Sequence, residues 1–438
     1  MELKDKFMNM YESLQQTVQK RSERQLYIAM GYSSNLDLIL NYDSEMVSSL
    51  LAEHLKNADL TALVPAKRIR TMEELLSTIV YYCRNGIGGE VDIEETGLLK
   101  DHFVCENAMG GTAVQAAMAL AEMNASSIVH LTDDSPEVCG ILDSPFISAV
   151  SDDGRLERTG CISGHNPQEP HFILQFKKGD LLRLNGQTVR IPASNRLILT
   201  KVTINDNLPF HDPYFRWIED HARLVSSSLL SSFNAITDPE ILKDRLEYVR
   251  RHVQIYHERN PQGTVYYEDA HYHDDHVRKL CIETLFSSVD VLGMNEEELK
   301  SALEDIYGYH VDLSDVLSCA AGAEYLQKQY GVRRAMVVHT KDYAMYLGPT
   351  EGRDIETGLI YGLTMATAKA AFGQYGGEKE IREVLKLSLS ETGLRNAGIL
   401  ADSPFRNRAV LVPTLYIDKP KYTIGLGDSF TGGLQLCF

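Results

Sequence analysis

The sequence predicts an α/β fold of layered strands and helices with a smaller α+β domain inserted into it, on three observations. Short apolar runs alternate with helical stretches along most of the chain, as a layered sheet requires. That alternation lapses between His171 and Thr200, where closely spaced strands take over. The 438 residues are enough for one large core and a further domain.

In order, Glu2 to Glu23 reads as a mostly polar helix, and Leu26 to Met30 as a buried strand that stops at Gly31 and feeds a loop over Ser33 to Asp37. Glu45 to Tyr82 is largely helical in pattern, and Asn85 to Gly89 breaks it. Asn107 to Gly111 is a polar, glycine-rich turn leading into a helix over Thr112 to Met123, followed by a strand at Ser127 to Leu131. His171 to Phe176, Val189 to Ile191 and Leu197 to Lys201 read as strands of an antiparallel sheet, joined through Gly179, Asp180 and Gly186.

Past Arg223 the alternation resumes. Strands are expected at Leu224 to Ser227, Thr264 to Tyr267, Val289 to Leu292, Ala335 to Val338, Ala344 to Leu347 and Val410 to Tyr416. Helices are expected at Pro239 to His257, His273 to Phe286, Glu296 to Ile306 and Lys379 to Leu389, with Gly362 to Phe372 a helix or buried turn. This assigns 1–36, 106–164 and 201–438 to the large domain, and 37–105 with 165–200 to the inserted lid. No internal repeat or low-complexity segment interrupts the pattern.

Composition narrows the function. A formal charge of -18 disfavours a nucleic-acid partner, since it repels the phosphate backbone. No window reaches the roughly 18 consecutive apolar residues of a membrane helix. The seven cysteines, Cys83, Cys105, Cys139, Cys161, Cys281, Cys319 and Cys437, have no regular spacing and read as reduced. With no apolar core of a signal peptide near Met1, the expectation is a cytoplasmic protein, monomer or homodimer, acting on small molecules.

The sharpest local feature is Ile424-Gly425-Leu426-Gly427-Asp428-Ser429-Phe430-Thr431-Gly432-Gly433. Two glycines before an acid permit a tight turn whose backbone N–H groups converge, and a helix starting near Asp428 adds its positive end there. Such a nest holds phosphate oxygens, and a carboxylate beside it can take a proton from an attacking hydroxyl. Taken alone, the pattern also fits a structural strand-to-helix turn with a capping aspartate. Asn295-Glu296-Glu297-Glu298 fits a helix cap with an acidic first turn as well as it fits a Mg²⁺ site. Asp269 to His276 carries three histidines (His271, His273, His276) and three acids, a transition-metal candidate that no cysteine pair or His-Glu-x-x-His pattern strengthens.

The stretch Gly425 to Gly433 resembles the catalytic signature of the ribokinase-like superfamily. Gly31-Tyr32-Ser33-Ser34-Asn35-Leu36-Asp37, Asn107-Ala108-Met109-Gly110-Gly111-Thr112-Ala113, His171 to Gly179, Asn295 to Glu298 and His339-Thr340-Lys341-Asp342-Tyr343 resemble, in order and across nearly the whole chain, the ADP-dependent glucokinase and phosphofructokinase family. The resemblance implies a Rossmann-type three-layer large domain with a smaller lid, Mg²⁺, and ADP rather than ATP as phosphoryl donor. It makes Asp428 the catalytic base, with Gly425 and Gly427 steadying the transferred group. Asn35, Asp37, Gly110 and Gly111 are then sugar ligands. His339, Thr340, Tyr343, Gly425, Leu426 and Gly427 lie toward the nucleotide, and Glu298 and Glu268 toward the metal. Tyr266 departs from the family pattern, standing where a histidine is usual before Glu268.

Substrate choice turns on the lid. Glu90 matches a position where glucokinase-like members keep a glutamate, which favours glucose. Lys177, Lys178, Arg183 and Arg196 could instead hold a sugar 6-phosphate, and could equally contact ADP phosphates or form surface ion pairs. The expectation is therefore an ADP-dependent hexose kinase, glucose first and fructose 6-phosphate second. An ATP-dependent ribokinase-like kinase and a catalytically silent sugar or nucleotide binder are the other readings.

Overall fold

Strands along the described chain are, in order, β1 (Tyr27–Met30), β2 (Asn35–Asn41), β3 (Arg68–Ile69), β4 (Gly89–Ile93), β5 (Cys105–Gly110), β6 (Ser127–Val129), β7 (Ile147–Val150), β8 (Leu156–Arg158), β9 (His171–Phe176), β10 (Leu181–Leu184), β11 (Gln187–Arg190), β12 (Asn195–Thr200), β13 (Val225–Leu230), β14 (Thr264–Glu268), β15 (Val291–Asn295), β16 (Ala335–His339), β17 (Tyr343–Leu347) and β18 (Ala409–Pro413). The computed structural model describes residues 3–162, 164, 166–201, 208–272 and 274–438. The chain divides into two units: Met1–Ser34, Gly111–His165 and Asn207–Phe438 form the larger, Asn35–Gly110 and Asn166–Asp206 the smaller.

The larger unit carries a ten-stranded sheet in the order β18-β17-β16-β15-β14-β13-β1-β6-β7-β8. The run from β16 to β7 is parallel, and antiparallel strands close both edges. Its central strands are buried on both faces because helices cover both, which is why they read as continuous apolar runs. Alternate residues of β14 show the two layers: Val265 and Tyr267 join the core formed with the helices Pro239–Arg259, Asp275–Thr284 and Val316–Tyr330. Tyr266, between them, faces Phe438 on the opposite side.

On that side the helices Thr112–Glu122, Ile355–Phe372 and Leu426–Leu434 meet almost backbone to backbone. A Cβ on Gly433 would lie 2.7 Å from the backbone of Gly362, and one on Gly432 2.8 Å from the carbonyl of Ala116. A Cβ on Gly362 would run into the Phe430 carbonyl. Glycine at these three positions sets how far the Leu426–Leu434 helix sinks into the layer.

The smaller unit holds a six-stranded sheet, β3-β4-β12-β9-β2-β5, and the hairpin β10-β11. One face is apolar: Leu40, Phe172, Leu174, Phe176, Leu197 and Leu199 pack with Val47 and Leu51 of helix Ser44–His54 and with Leu75, Leu76 and Ile79 of helix Met72–Asn85. The other face follows from the period of two. It presents Asn35 and Asp37 of β2, His171 of β9, Arg196 and Thr200 of β12, Glu90 of β4, and Gly110 of β5.

Several expectations need correction. The sheet of the smaller unit is mixed, not antiparallel, since β12 runs parallel to β4 and β9 parallel to β2. Asn35 to Asp37 is strand, not loop, and Asn107 to Gly110 is strand, not turn; they pair with each other, supplying hydrogen bonds that the local sequence does not announce. That pairing puts the unit boundaries at Ser34/Asn35 and Gly110/Gly111 rather than at 36/37 and 105/106. The helical pattern of Glu45 to Tyr82 is interrupted by β3, and Gly362 to Phe372 is the second half of an 18-residue helix. Helix Glu296 to Ile306 ends as a π-turn over Ala302–Ile306. The helices Val316–Tyr330 and Glu391–Ala401 and the strands β7, β8 and β10 were not anticipated.

Gly433→Ala improves helix propensity but forces a methyl group onto the Gly362 backbone. We expect it to lower unfolding free energy by ~1–3 kcal/mol, measured by urea denaturation, whereas Gly398→Ala, with open space around it, should be neutral or stabilising.

Candidate active site

The C-terminal ends of β14, β15 and β16 lie side by side and deliver Glu268, Asn295 and His339 to one edge of the large sheet, where parallel α/β sheets place their ligands. Beside them begins the Leu426–Leu434 helix. Gly425 takes φ +66°, a left-handed conformation that glycine adopts without cost, so the chain turns sharply into the helix. Ser429 N–H donates to the Gly425 carbonyl, closing the first helical turn. The N–H groups of Leu426, Gly427 and Asp428 precede that bond and have no intrahelical acceptor. Together with the positive helix end they form an anion-accepting bend.

Asp428 is half-buried in this bend. Desolvation raises its carboxyl pKa, while the Lys369 ammonium, a hydrogen bond from the Thr112 hydroxyl and His339 pull it back; Glu268 adds to the rise. Thr112 is the first residue of its own helix, so two helix starts converge on this carboxylate. His339 is placed over the bend: its Cε1 would lie 3.2 Å from a Cβ on Gly427, and its ring packs 5.0 Å from that of Phe430.

His339 Nε2 meets Glu268 Oε1 at 2.7 Å, and the Tyr266 hydroxyl donates to Glu268 Oε2 at 3.0 Å. Both oxygens of Glu268 are therefore engaged inside the protein. Burial alone would lower the pKa of His339, but the Glu268 carboxylate, with Glu298 and Glu296 behind it, outweighs burial and raises it. The acids around His339 thus favour its protonated form beside the bend. Tyr266 fits because β15 offers Gly293 opposite: a Cβ there would collide with the Tyr266 hydroxyl and with Glu268.

Glu298 closes a capping box: Asn295 Oδ1 accepts from the N–H of Glu297 and of Glu298, and Glu298 Oε2 accepts from Asn295 N–H at 2.8 Å. Its carboxyl pKa is pushed up to about 8, first by desolvation and then by Asp269 and Glu268. Asp269 pairs with Arg278, which is 2% exposed and also donates to the Glu298 carbonyl. Among the described residues no set of three or more His, Cys, Asp and Glu is arranged to hold a metal ion. Mg²⁺ commonly takes only one or two carboxylates and completes its shell with water and phosphate, so the crowded Glu298 fits such an ion as a hard, charge-relieved ligand. Glu268, with both oxygens occupied, fits better as the brace of His339.

In the smaller unit, Asn35 Nδ2 donates to Asp37 Oδ1 at 2.6 Å and lies 3.0 Å from His171 Nδ1. Gly110 pairs opposite Asn35, and any Cβ there would overlap the Asn35 and Asp37 side chains. Gly111, already in the larger unit, has φ +96° and lies against the Ser33 carbonyl. Thr200 Oγ1 donates to Glu90 Oε1 at 2.8 Å. Burial lowers the His171 pKa, and the Glu90 charge opposes that.

The structure gathers Gly425, Leu426, Gly427, Asp428, Glu268, Glu298 and His339 in the larger unit, and Asn35, Asp37, Gly110, Glu90 and Arg196 on one sheet face of the smaller. It does not gather the rest. Tyr343 is 4% exposed and belongs to the core, and Thr340 caps the β16–β17 turn, accepting from the N–H of Asp342 and Tyr343. Lys177 is exposed past the end of β9, in a turn that Asp180 closes. Lys178 and Arg183 are exposed as well. In the histidine-rich segment Asp274 caps the Asp275–Thr284 helix and Asp269 pairs with Arg278, while His273 lies outside the described residues. The described cysteines are all free thiols. Thr112, Gln115, His171, Thr200 and Lys369 were missed. Thr112 and His171 lie inside stretches that the sequence singled out, and Lys369 stands as a single charge in the apolar run Leu359 to Phe372.

Residues 26–434 match the model of the ADP-specific phosphofructokinase/glucokinase conserved region. An ADP-dependent glucose/glucosamine kinase of Pyrococcus furiosus is 25% identical over 431 residues, covering 92% of each chain. An ADP-specific phosphofructokinase of the same organism is 22% identical over 453 residues, covering 95% of this chain and 97% of its own. The solved structure of the last common ancestor of ADP-dependent phosphofructokinases from Methanosarcinales superposes with a TM-score of 0.76 at 20% identity, covering 100% of this chain and 98% of its own. No helix among the described residues is long and apolar enough to cross a membrane. A glycine-led helix start carrying Asp428, at the strand ends that carry Glu268 and His339, within a match spanning nearly the whole chain, places this protein in the ADP-specific phosphofructokinase/glucokinase family, the ADP-dependent sugar kinases.

Proposed function

We propose that the chain transfers the β-phosphoryl group of ADP to a hydroxyl of fructose 6-phosphate, releasing AMP. The observation that carries the chemistry is Asp428: a carboxylate with a raised pKa, at the first turn of a helix whose unpaired N–H groups face the same bend. It accepts the proton as the sugar oxygen attacks the β-phosphorus, and the bond from that phosphorus to the bridging oxygen of AMP breaks. The helix-start amides and the His339 ring stabilise charge that spreads over the phosphoryl oxygens. Mg²⁺, when bound, neutralises phosphate charge; Glu298 is the residue that would hold it, through its waters or directly.

Fructose 6-phosphate is placed first because ADP-specific phosphofructokinases recur among the relatives, and because Arg196 stands on the polar sheet face with Asn35 and Asp37. Glucose is the second reading, and Glu90 favours it. That carboxylate shares the same face, but it already accepts a hydrogen bond from Thr200, which weakens its use as a sugar ligand. Asn35, Asp37 and His171 would bind sugar hydroxyls in either case.

Purified protein assayed with ADP or ATP against glucose, glucosamine and fructose 6-phosphate, following both AMP and sugar phosphate, separates these readings. Fructose 6-phosphate with ADP should give the highest kcat/KM; glucose with ADP exceeding it would reverse the order, and ATP outperforming ADP with every sugar would reject the donor. Asp428→Asn should cut kcat by about 10²–10⁴-fold while calorimetry shows ADP still bound. Glu298→Gln should raise the Mg²⁺ concentration for half-maximal rate about tenfold or more, with the KM for sugar little changed.

A further inference from the structure

Lys369 is a buried cation that the chemistry above leaves without a task. It sits in the Ile355–Phe372 helix at 4% exposure, where a charge is costly unless matched. Its surroundings are specific. Nζ donates to Gln115 Oε1 at 2.8 Å, and the Tyr375 hydroxyl donates to the same oxygen at 3.1 Å. The ammonium lies 3.9 Å from the centre of the Tyr375 ring and 6.0 Å from that of Tyr422. A Cβ on Gly425 would stand 2.5 Å from Nζ and would overlap Gln115 Oε1, so the glycine that starts the phosphate-accepting bend is packed directly on this lysine–glutamine pair.

The amide oxygen and ring faces account for part of the cost of burying the ammonium, but none of them carries a formal charge. Asp428, three residues past that glycine, is the acid whose carboxyl the Lys369 charge acts on. Thr112, Glu268 and His339 also act on Asp428, and Gln115, Tyr375 and Tyr422 are among the groups around Lys369.

We propose that Lys369, braced by Gln115, is a positioning residue for phosphoryl transfer: it fixes the Gly425 bend from behind and sets a positive charge beside Asp428, the group that takes the sugar's proton. The effect is electrostatic and conformational; Lys369 itself need not touch substrate. This inference rests on the kinase reading given above. The direction of the pH effect follows from the charge. Removing the ammonium takes away a contribution that lowers the Asp428 pKa, so the acidic limb of kcat must move to higher pH.

The test compares Lys369→Met, of similar length and without charge, and Gln115→Leu with the wild type, using ADP, Mg²⁺ and the best hexose acceptor. Expected for Lys369→Met is an acidic limb of kcat displaced upward by about one pH unit or more, kcat at pH 7 down about tenfold or more, and an unchanged KM for sugar. Gln115→Leu should displace the limb in the same direction, and it carries the test if Lys369→Met fails to fold. A limb that stays in place in the variants overturns the proposal, as does a loss that appears only in KM.

A second arm needs no activity: urea midpoints at pH 8 of the wild type, Lys369→Met, Asp428→Asn and the double variant. Lys369→Met should destabilise the wild type more than it destabilises Asp428→Asn, and additive effects would sink the charge pairing. If the wild type phosphorylates no hexose, the kinase reading fails, while this cycle still decides whether the pair exists.

Discussion

The site depends on how one short helix is seated. The Leu426–Leu434 helix is pressed against Thr112–Glu122 and Ile355–Phe372 until backbones touch, and glycines at positions 362, 432 and 433 are what allow it. This close packing fixes the N-terminal end of the helix relative to the sheet edge. The bend at Gly425, the carboxylate of Asp428 and the amides between them take their register from this seat. A helix held at ordinary spacing by larger side chains would carry the same sequence motif a few ångströms away from Thr112 and His339.

Around that seat the charges are arranged in pairs. Glu268 holds His339 and Asp269 holds Arg278, Lys369 stands behind Gly425 with Gln115, and Glu298 is left with a raised pKa and a capping role. In a desolvated site each uncompensated charge would be expensive, and the pairing keeps cost low while leaving cationic character toward the bend and one hard carboxylate at its flank. That distribution suits a polyphosphate and a divalent cation better than it suits any neutral ligand. It also explains how Tyr266 can replace a histidine: the hydroxyl satisfies one Glu268 oxygen, and His339 satisfies the other.

The smaller unit solves a different problem with strand alternation. Its sheet buries leucines and phenylalanines on one face, so the opposite face is free to collect Asn35, Asp37, His171, Glu90, Arg196 and Thr200. A one-residue slip in β2 would exchange Asp37 for Leu36 or Leu38 on that face, so the hydrophobic core of this unit enforces the polar set. Gly110 contributes by having no side chain where Asn35 and Asp37 need room.

What the sequence determined by itself was local: the glycine-led helix start at Asp428, the Asn295–Glu298 cap, the apolar strands of the central sheet, and the charge balance that disfavours nucleic acid. Each depends on residues within a few positions of one another or on a sum over the chain. Tertiary structure alone decided that Asn35–Asp37 and Asn107–Gly110 are paired strands, that the smaller sheet is mixed, that Tyr343 is core, and that Lys369 meets Gln115 behind Gly425. Those outcomes join residues as much as 254 positions apart, as between Gln115 and Lys369, and such a contact leaves no periodicity in the sequence because its partners are selected by packing between layers.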